Sequence, residues 1–524
     1  MWSSLKRWVG EHNLVLIFIG IYFLFSIIKI EHPGVNNDQL MFVNTATFNP
    51  DNMFLWKSWH GIPVMVFPYI GALKSYLYMP IFYLFGVNIW SIRLPQIIII
   101  SISWFILYKT LIIAFNKKLA LTTVLFLCID PSLIAYSKID QGPTVLEFFF
   151  KILAVYFLYL YLSTKKGIFF FSIFPTLALG IFNKLNFIWF INAFVFSLLI
   201  FYSKNLYQDF KKVNKLFPFL IIGLSYFFLI RIFLKISREV SLSYKDFTDP
   251  VAVSNVFKIL LIFFNNLVNI INGNMLFKIV YGYIPTPFGN YFSTLIILIL
   301  FIGSYYLIKN HSSKPYYFFL AVIISMILQL LLTRQAISAW HVLSIYPFFT
   351  IIFAGAVLEI YSLLKTQRLR NIFIFVIGMI VFCQIIINII YLNQYSQSTK
   401  SVAYSAKIYD LINFVKERKE KIICLDVDIC NQLLSFNQQT GKYKEPFFFL
   451  DPPTYNYSFY KLADNFKNPD QFLYVDHSEV TSHFPNFRKS FFQYLNANKI
   501  NYAKVKDFSD GENSAFEIYK IGHY

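Results

Sequence analysis

Seven ionisable residues stand where long apolar runs of this chain begin or end: Asp38, Asp130, Lys138, Asp140, Lys184, Arg334 and His341. Charge at membrane depth is costly and tends to mark a working site. Carboxylates facing cations there suit a reaction that needs a base beside an anionic substrate. Asp38, in Val35-Asn36-Asn37-Asp38-Gln39, is either a general base or the cap of a helix starting at Gln39. With a neighbouring cation such as Lys74, its carboxyl would stay ionised in a partly buried setting. Asp140, in Ser137-Lys138-Ile139-Asp140-Gln141-Gly142-Pro143, either orients a substrate or caps the run that follows. Lys184 has almost no loop around it, so it meets a lipid phosphate or simply snorkels to the interface. Arg334 clamps a phosphate or faces headgroups, and His341, beside Trp340, has the same two readings. Lys74, Tyr76 and Lys138 are expected to line the substrate cavity. Glu147 and Lys151, one helical turn apart, read as a structural ion pair.

The elements that hold these residues are set by composition. The 524 residues are 57% hydrophobic and 20% aromatic, with 62 Phe, and 14% are charged against about 25% in a soluble domain. The chain therefore reads as a polytopic α-helical membrane protein. Eleven spans are expected near 13–31, 94–115, 119–137, 143–163, 167–183, 185–203, 216–235, 290–308, 315–333, 341–364 and 371–394. The net charge of +19 sits in short loops between these runs, which excludes a nucleic-acid-binding face. Alternate loops carry Lys6/Arg7, Lys117/Lys118, Lys165/Lys166, Lys204 to Lys215, Lys309/Lys314 and Lys365 to Arg370; the opposite short loops carry single cations. That bias puts the N-terminus in the cytoplasm and the chain's long loops and tail outside it. The first run, with no small-residue cleavage site after it, is expected to be an uncleaved signal anchor.

Residues 1–398 then form a transmembrane unit with outer loops at 32–93 and 236–289, and 399–524 a small extracytoplasmic α/β domain. The first loop is too long and too apolar for a bare linker, and short amphipathic helices on the membrane surface are expected there. The second carries a helical pattern over Asn255–Ile271, re-entrant or interfacial. It ends in a Pro/Gly/aromatic stretch, Tyr281–Gly289, that is either a lid or an ordered surface loop. In the tail, helices are expected at 401–420 and 486–496, strands at 421–427, 447–450 and 471–476, and a hairpin over 503–508 and 515–521. Asp426 and Asp428 have the look of a metal-binding pair but more often such carboxylates are solvated or cap a helix. Cys424 and Cys430 can pair if the tail is extracytoplasmic. No Cys/His cluster has zinc-ligand spacing.

Several stretches together resemble the large membrane glycosyltransferases of the GT-C fold, closest to relatives of protein O-mannosyltransferases and lipid A aminoarabinose transferases. They are Asp38 soon after the first span; Gly71-Ala72-Leu73-Lys74-Ser75-Tyr76-Leu77-Tyr78, Leu84-Phe85-Gly86 and Arg93-Leu94-Pro95; Tyr136-Ser137-Lys138-Ile139-Asp140; Gly180-Ile181-Phe182-Asn183-Lys184; and His341 through Pro347. The resemblance covers about residues 10 to 365. It implies an inverting transferase in a bacterial inner membrane, taking a sugar from a polyprenyl-phosphate donor to an extracytoplasmic glycan, lipid or protein acceptor. Asp38 would be the base, Lys184, Arg334 and His341 would hold the leaving phosphate, and Asp140 would orient the acceptor or hold a cation. The family often has Asp-Glu where this chain has Asp38-Gln39, so a second acidic role is unfilled or has moved to Asp140. No acidic pair in the first loop could hold a metal, so no cofactor is expected. A transporter or flippase stays open as an alternative; it should show internal repeats or Gly/Pro-broken midplane spans, and none is read in the sequence. A non-catalytic scaffold of envelope assembly stays open.

Overall fold

The computed structural model describes residues 2–52, 55, 57–67, 69–140, 142–210, 253–284, 286–310, 313–333, 339–395, 404–426, 428–444, 462–479, 482, 485–510 and 513–522. Helix α1 (Trp2–Ile27) leads into α2 (Asn37–Ala46). A three-stranded antiparallel sheet follows, made of β1 (Lys57–Trp59), β2 (Ile62–Phe67) and β3 (Ile70–Gly71). Next come α3 (Leu73–Phe85) and α4 (Ile89–Ala114). The first loop is thus not helical throughout, as expected, but carries a sheet. Inward and outward side chains alternate through the start of β2, a period-two signal that the apolar content of the loop obscured.

Local chemistry sets the helix ends. A capping box between Asn88 and Ser91 starts α4. Asn116 caps α5 (Lys117–Cys128) through Leu119 N–H at 3.0 Å. Asp130 then caps α6 (Pro131–Ile139) through Leu133 N–H, also at 3.0 Å. With Pro131 opening the new helix, the apolar run expected as one span bends by 60° between α5 and α6. The bundle continues through α7 (Thr144–Thr164), α8 (Gly167–Asn183) and α9 (Ile188–Phe210). Later helices are Val253–Ile271, Asn274–Tyr281, Gly289–Asn310, Lys314–Leu332, Phe348–Leu363 and Gln367–Gln394.

Among the described residues, 6 helices are long and apolar enough to cross a membrane, or up to 8 if each bent pair counts as one span. Glu11–Ile27, Gly167–Asn183 and Phe348–Leu363 are shorter apolar helices. Each expected span falls on one of these elements except 216–235, which lies outside the described residues. Length and composition thus support 6 to 8 crossings among the described residues, against the eleven expected from the whole sequence. The second bent pair, Phe257–Ile271 with Asn274–Tyr281, turns by 89° and occupies the expected re-entrant or interfacial position. The stretch after it is tied down on its described residues. Tyr281 donates to the Tyr395 carbonyl at 3.1 Å, Tyr283 to Gln394 at 2.6 Å, and Thr286 to Asn274 at 3.0 Å.

In the tail, five strands align in the order β5-β4-β6-β8-β7. They are β4 (Lys421–Cys424), β5 (Tyr443–Lys444), β6 (Phe472–His477), β7 (Asn501–Asp510) and β8 (Asn513–Gly522). Helices Lys407–Lys416, Ile429–Asn437 and Pro485–Ala497 pack with them. The expected hairpin is present with a long register from Asn501↔Gly522 to Asp510↔Asn513. The strand expected at 447–450 lies outside the described residues. Cys424 and Cys430 are joined in a disulfide, with Cα atoms 5.6 Å apart.

Candidate active site

The sequence around Asp140 folds into a tight corner. Asp140 closes α6 in the left-handed region, with φ of 35°, and Gly142 follows at φ of 65°. Left-handed backbone favours glycine, and a Cβ on Gly142 would lie 3.2 Å from Lys184 Nζ. The corner thus brings the Lys184 ammonium close to the Asp140 segment. The carboxylate of Asp140 is buried; Lys74 Nζ donates to its Oδ2 at 2.6 Å, and Val145 N–H to its Oδ1 at 2.9 Å. Lys74 comes from the first turn of α3. Its ammonium also stands 4.7 Å from the Phe42 ring centroid and 5.7 Å from that of Tyr78. So α2, through Phe42, closes over the ion pair.

Lys184 is placed by the first-loop sheet. Ile70 and Lys184 form an antiparallel bridge, and Leu185 N–H donates to the Tyr69 carbonyl at 3.0 Å. Gly71 is required at this crossing, because a Cβ there would overlap the Phe182 carbonyl oxygen. Two of the resembling stretches, around Gly71 and around Gly180 to Lys184, are therefore the two sides of one contact. Glu147 lies within electrostatic reach of both Lys184 and His341, and it pairs with Lys151 at 2.5 Å. Lys151 in turn donates to the Ser344 carbonyl at 2.9 Å, tying α7 to the segment after His341. The His341 ring meets Trp189 edge-on, 5.2 Å between centroids. Arg334 lies outside the described residues.

A cavity of about 620 Å³ opens beside this cluster. Lys74, Asp140, Tyr78 and Gln96 supply its polar wall, while Leu77, Ile81, Phe85, Trp90, Ile98 and Ile99 supply an apolar one. Leu77, Phe85, Trp90 and Ile98 are at least two-fifths exposed, so the apolar wall runs out to the surface of the helix bundle. Inside it, Tyr78 donates to the Ile92 carbonyl at 2.7 Å and accepts from Gln96 at 2.8 Å. Tyr78 and Gln96 were not singled out from sequence. An amide in the mostly apolar α4, which also carries Arg93 and Lys109, was the available signal.

Other expected site residues are placed elsewhere. Lys74 makes its ion pair with Asp140, at 2.6 Å. Asp38, Tyr76, Lys138, Lys184 and His341 are not among the lining residues. The Tyr76 hydroxyl donates to the Pro63 carbonyl on β2, and Lys138 Nζ donates to the Ile28 carbonyl at 2.5 Å under the Tyr395 ring. Asp38 lies in the first turn of α2, while Asn36 is the cap, accepting from Gln39 N–H at 3.1 Å. Asp38 faces the tail, where its charge is felt by Tyr404 and Asp428. The tail helix Ile429–Asn437 clasps α2: Asn44 donates to Asn431 at 2.7 Å, Asn431 to Asn37, and Gln432 to the Val35 carbonyl at 2.9 Å. Burial first, then the Asp38 and Asp426 carboxylates, push the Asp428 carboxyl up to about 7. Among the described residues no group of three or more His, Cys, Asp or Glu could hold a metal ion.

Comparison with known proteins adds the class. A family model described as dolichyl-phosphate-mannose-protein mannosyltransferase matches residues 72–236. ArnT from Cupriavidus metallidurans in the apo state superposes with a TM-score of 0.58 at 11% identity, over 99% of this chain and 98% of that one. The same protein bound to undecaprenyl phosphate gives 0.55 at 10% identity, over 98% of each chain. The archaeal oligosaccharyltransferase AglB from Archaeoglobus fulgidus, in complex with an inhibitory peptide and a dolichol-phosphate, gives 0.52 at 11% identity. It covers 90% of this chain and 70% of that one. No curated protein sequence matches. At such identities the structural likeness speaks for the fold. That fold is the one of the GT-C membrane glycosyltransferases, and the family signature over 72–236 is likewise a glycosyltransferase one.

Proposed function

We propose that the chain transfers a sugar from a polyprenyl-phosphate donor to an acceptor hydroxyl on the extracytoplasmic face, with inversion at the anomeric carbon. The observation that carries this is the cavity, apolar where it meets the bundle surface and charged at Lys74 and Asp140 where it ends. An isoprenoid chain fits the first part and a phosphosugar the second. ArnT bound to undecaprenyl phosphate has the same fold, which supports that class of donor.

In the reaction, the acceptor oxygen forms a bond to the anomeric carbon while the bond from that carbon to the phosphate oxygen breaks. The electron pair leaves with the phosphate, giving polyprenyl phosphate, and the acceptor proton passes to a carboxylate. Asp38, which faces the tail rather than lining the cavity, is our candidate for that base on its place in the sequence pattern, and Asp140 at the cavity end is the alternative. Asp140, locked by Lys74, orients the substrates at the cavity end. Lys184, with His341 behind it across Glu147, offsets the charge that develops on the leaving phosphate. Arg334 keeps this role on its sequence pattern alone. The donor set calls for no metal in this scheme, and activity that survives chelation would agree with that. The Cys424–Cys430 disulfide supports an extracytoplasmic tail, since disulfides persist in oxidising compartments.

The test is direct. Purified protein, supplied with a panel of undecaprenyl-phosphate-linked sugars and membrane extract as acceptor, should release undecaprenyl phosphate and label an acceptor. Movement of the intact lipid-linked sugar between leaflets of a proteoliposome, with no release, would point to a flippase and overturn the reading.

A further inference from the structure

Gln39 is buried, as is Arg93 of the Arg93-Leu94-Pro95 stretch. The Arg93 guanidinium donates to the Ile30 carbonyl at 2.6 Å, to the Gly34 carbonyl at 3.3 Å and to Gln39 Oε1 at 3.0 Å. Gln39 Nε2 donates to the Lys138 carbonyl at 2.7 Å. The chemistry of the two partners fixes the orientation of this amide. Turned over, it would set its NH₂ against the guanidinium and its oxygen against a carbonyl. One amide therefore joins three pieces of chain: α4 through Arg93, α2 next to Asp38, and α6 two residues before Asp140.

We infer that Gln39 is a positioning residue for transfer, an amide bridge that fixes the Asp38 helix against the Asp140 corner. The position asks for a side chain that accepts on one side and donates on the other. A glutamate accepts from Arg93 equally well, but beside that guanidinium it stays ionised and offers nothing to the Lys138 carbonyl. A second carboxylate here would push α2 and α6 apart rather than add an acid to the reaction. This inference rests on the sugar-transfer reading for its kinetic consequence, though the bridge itself does not.

Two measurements test it. In the transfer assay, Gln39→Glu should lower kcat by about tenfold or more, the scale set by misplacing reacting groups, with donor KM unchanged. Gln39→Met, which keeps the volume without polar groups, should behave the same and should cost nothing further when added to Asp140→Asn. An equal or faster kcat for Gln39→Glu, or full additivity in the double variant, overturns the inference. Absence of transfer by the unaltered protein overturns only the sugar-transfer reading. Hydrogen exchange then decides without activity. Gln39→Met should speed exchange both at residues 37–41 and at Val145, whose N–H is held by Asp140. Acceleration confined to 37–41 would show that the amide does not reach the corner.

Discussion

Lys74 and Asp140 are 66 residues apart in sequence and form a 2.6 Å ion pair with both side chains shielded from solvent. Such a pair is held by geometry: Asp140 takes a second hydrogen bond from Val145, and Lys74 lies against the Phe42 and Tyr78 rings. Removing one partner leaves the other charge buried and uncompensated, a cost of about 3–5 kcal/mol. Lys74→Ala should therefore lower thermal stability in detergent strongly. Adding Asp140→Asn to it should restore much of the loss, because the stranded charge is gone. A Lys74→Ala protein that melts like the parent would show that the pair does not form.

Lys184 is a different case, since its place is fixed by backbone. It lies in an extended bridge to Ile70, with its ammonium next to Gly142. Lys184→Ala leaves that bridge intact, so the variant should insert and melt normally. If the ammonium meets a lipid phosphate, transfer should fall about tenfold or more, the equivalent of roughly 1.5–3 kcal/mol for a charged hydrogen bond. Turnover equal to the parent would leave Lys184 as an interfacial cation only.

How far these arrangements could be read from sequence depends on the range of the interaction. The apolar helices outside 216–235, the tail hairpin and the Glu147–Lys151 pair are local patterns, periodic over a few residues, and the described residues carry them. The class was also legible, because its stretches keep their order along the chain. The pairing of Lys74 with Asp140 was not, since nothing in either neighbourhood encodes a partner 66 residues away. Nor was the clasp of Asn431 and Gln432 on α2, made by neutral amides with no pattern of their own. The first-loop sheet was missed for another reason: three short strands sit in a loop whose apolar content argued for surface helices.

The contact between tail and first loop should depend on pH. Asp428 rises from the usual 3.8 to about 7, first through burial and then through Asp38 and Asp426. A carboxyl raised on folding binds its proton more tightly in the native state. Its contribution is thus fully present below about pH 4 and is lost as pH climbs through 7. Asp476, also raised to about 7 by burial against the pull of Arg488, adds a slope of the same sign. Thermal midpoints should fall between pH 5.5 and 8, and Asp428→Asn should flatten part of that fall. A parent protein that is more stable at pH 8, or an Asn variant with an unchanged slope, would contradict the assignment.

The remaining prediction concerns Asp38 itself. From sequence it was a base or a helix cap, and the structure gives the cap to Asn36. In the first turn of α2 a carboxylate still gains from the helix dipole, but by about 0.3–1 kcal/mol only. Its charge also acts on Asp428, whose carboxyl it helps to raise. Asp38→Asn should therefore leave folding nearly unchanged, and the relief of repulsion should bring Asp428 down toward its ordinary range. The amide keeps the size of the side chain and cannot take a proton from an acceptor. If Asp38 is the base, transfer by the purified variant should drop by about 10²-fold or more at an unchanged melting temperature. An Asn variant that transfers at the parent rate would take Asp38 out of the mechanism and leave Asp140, at the end of the cavity, to receive the proton.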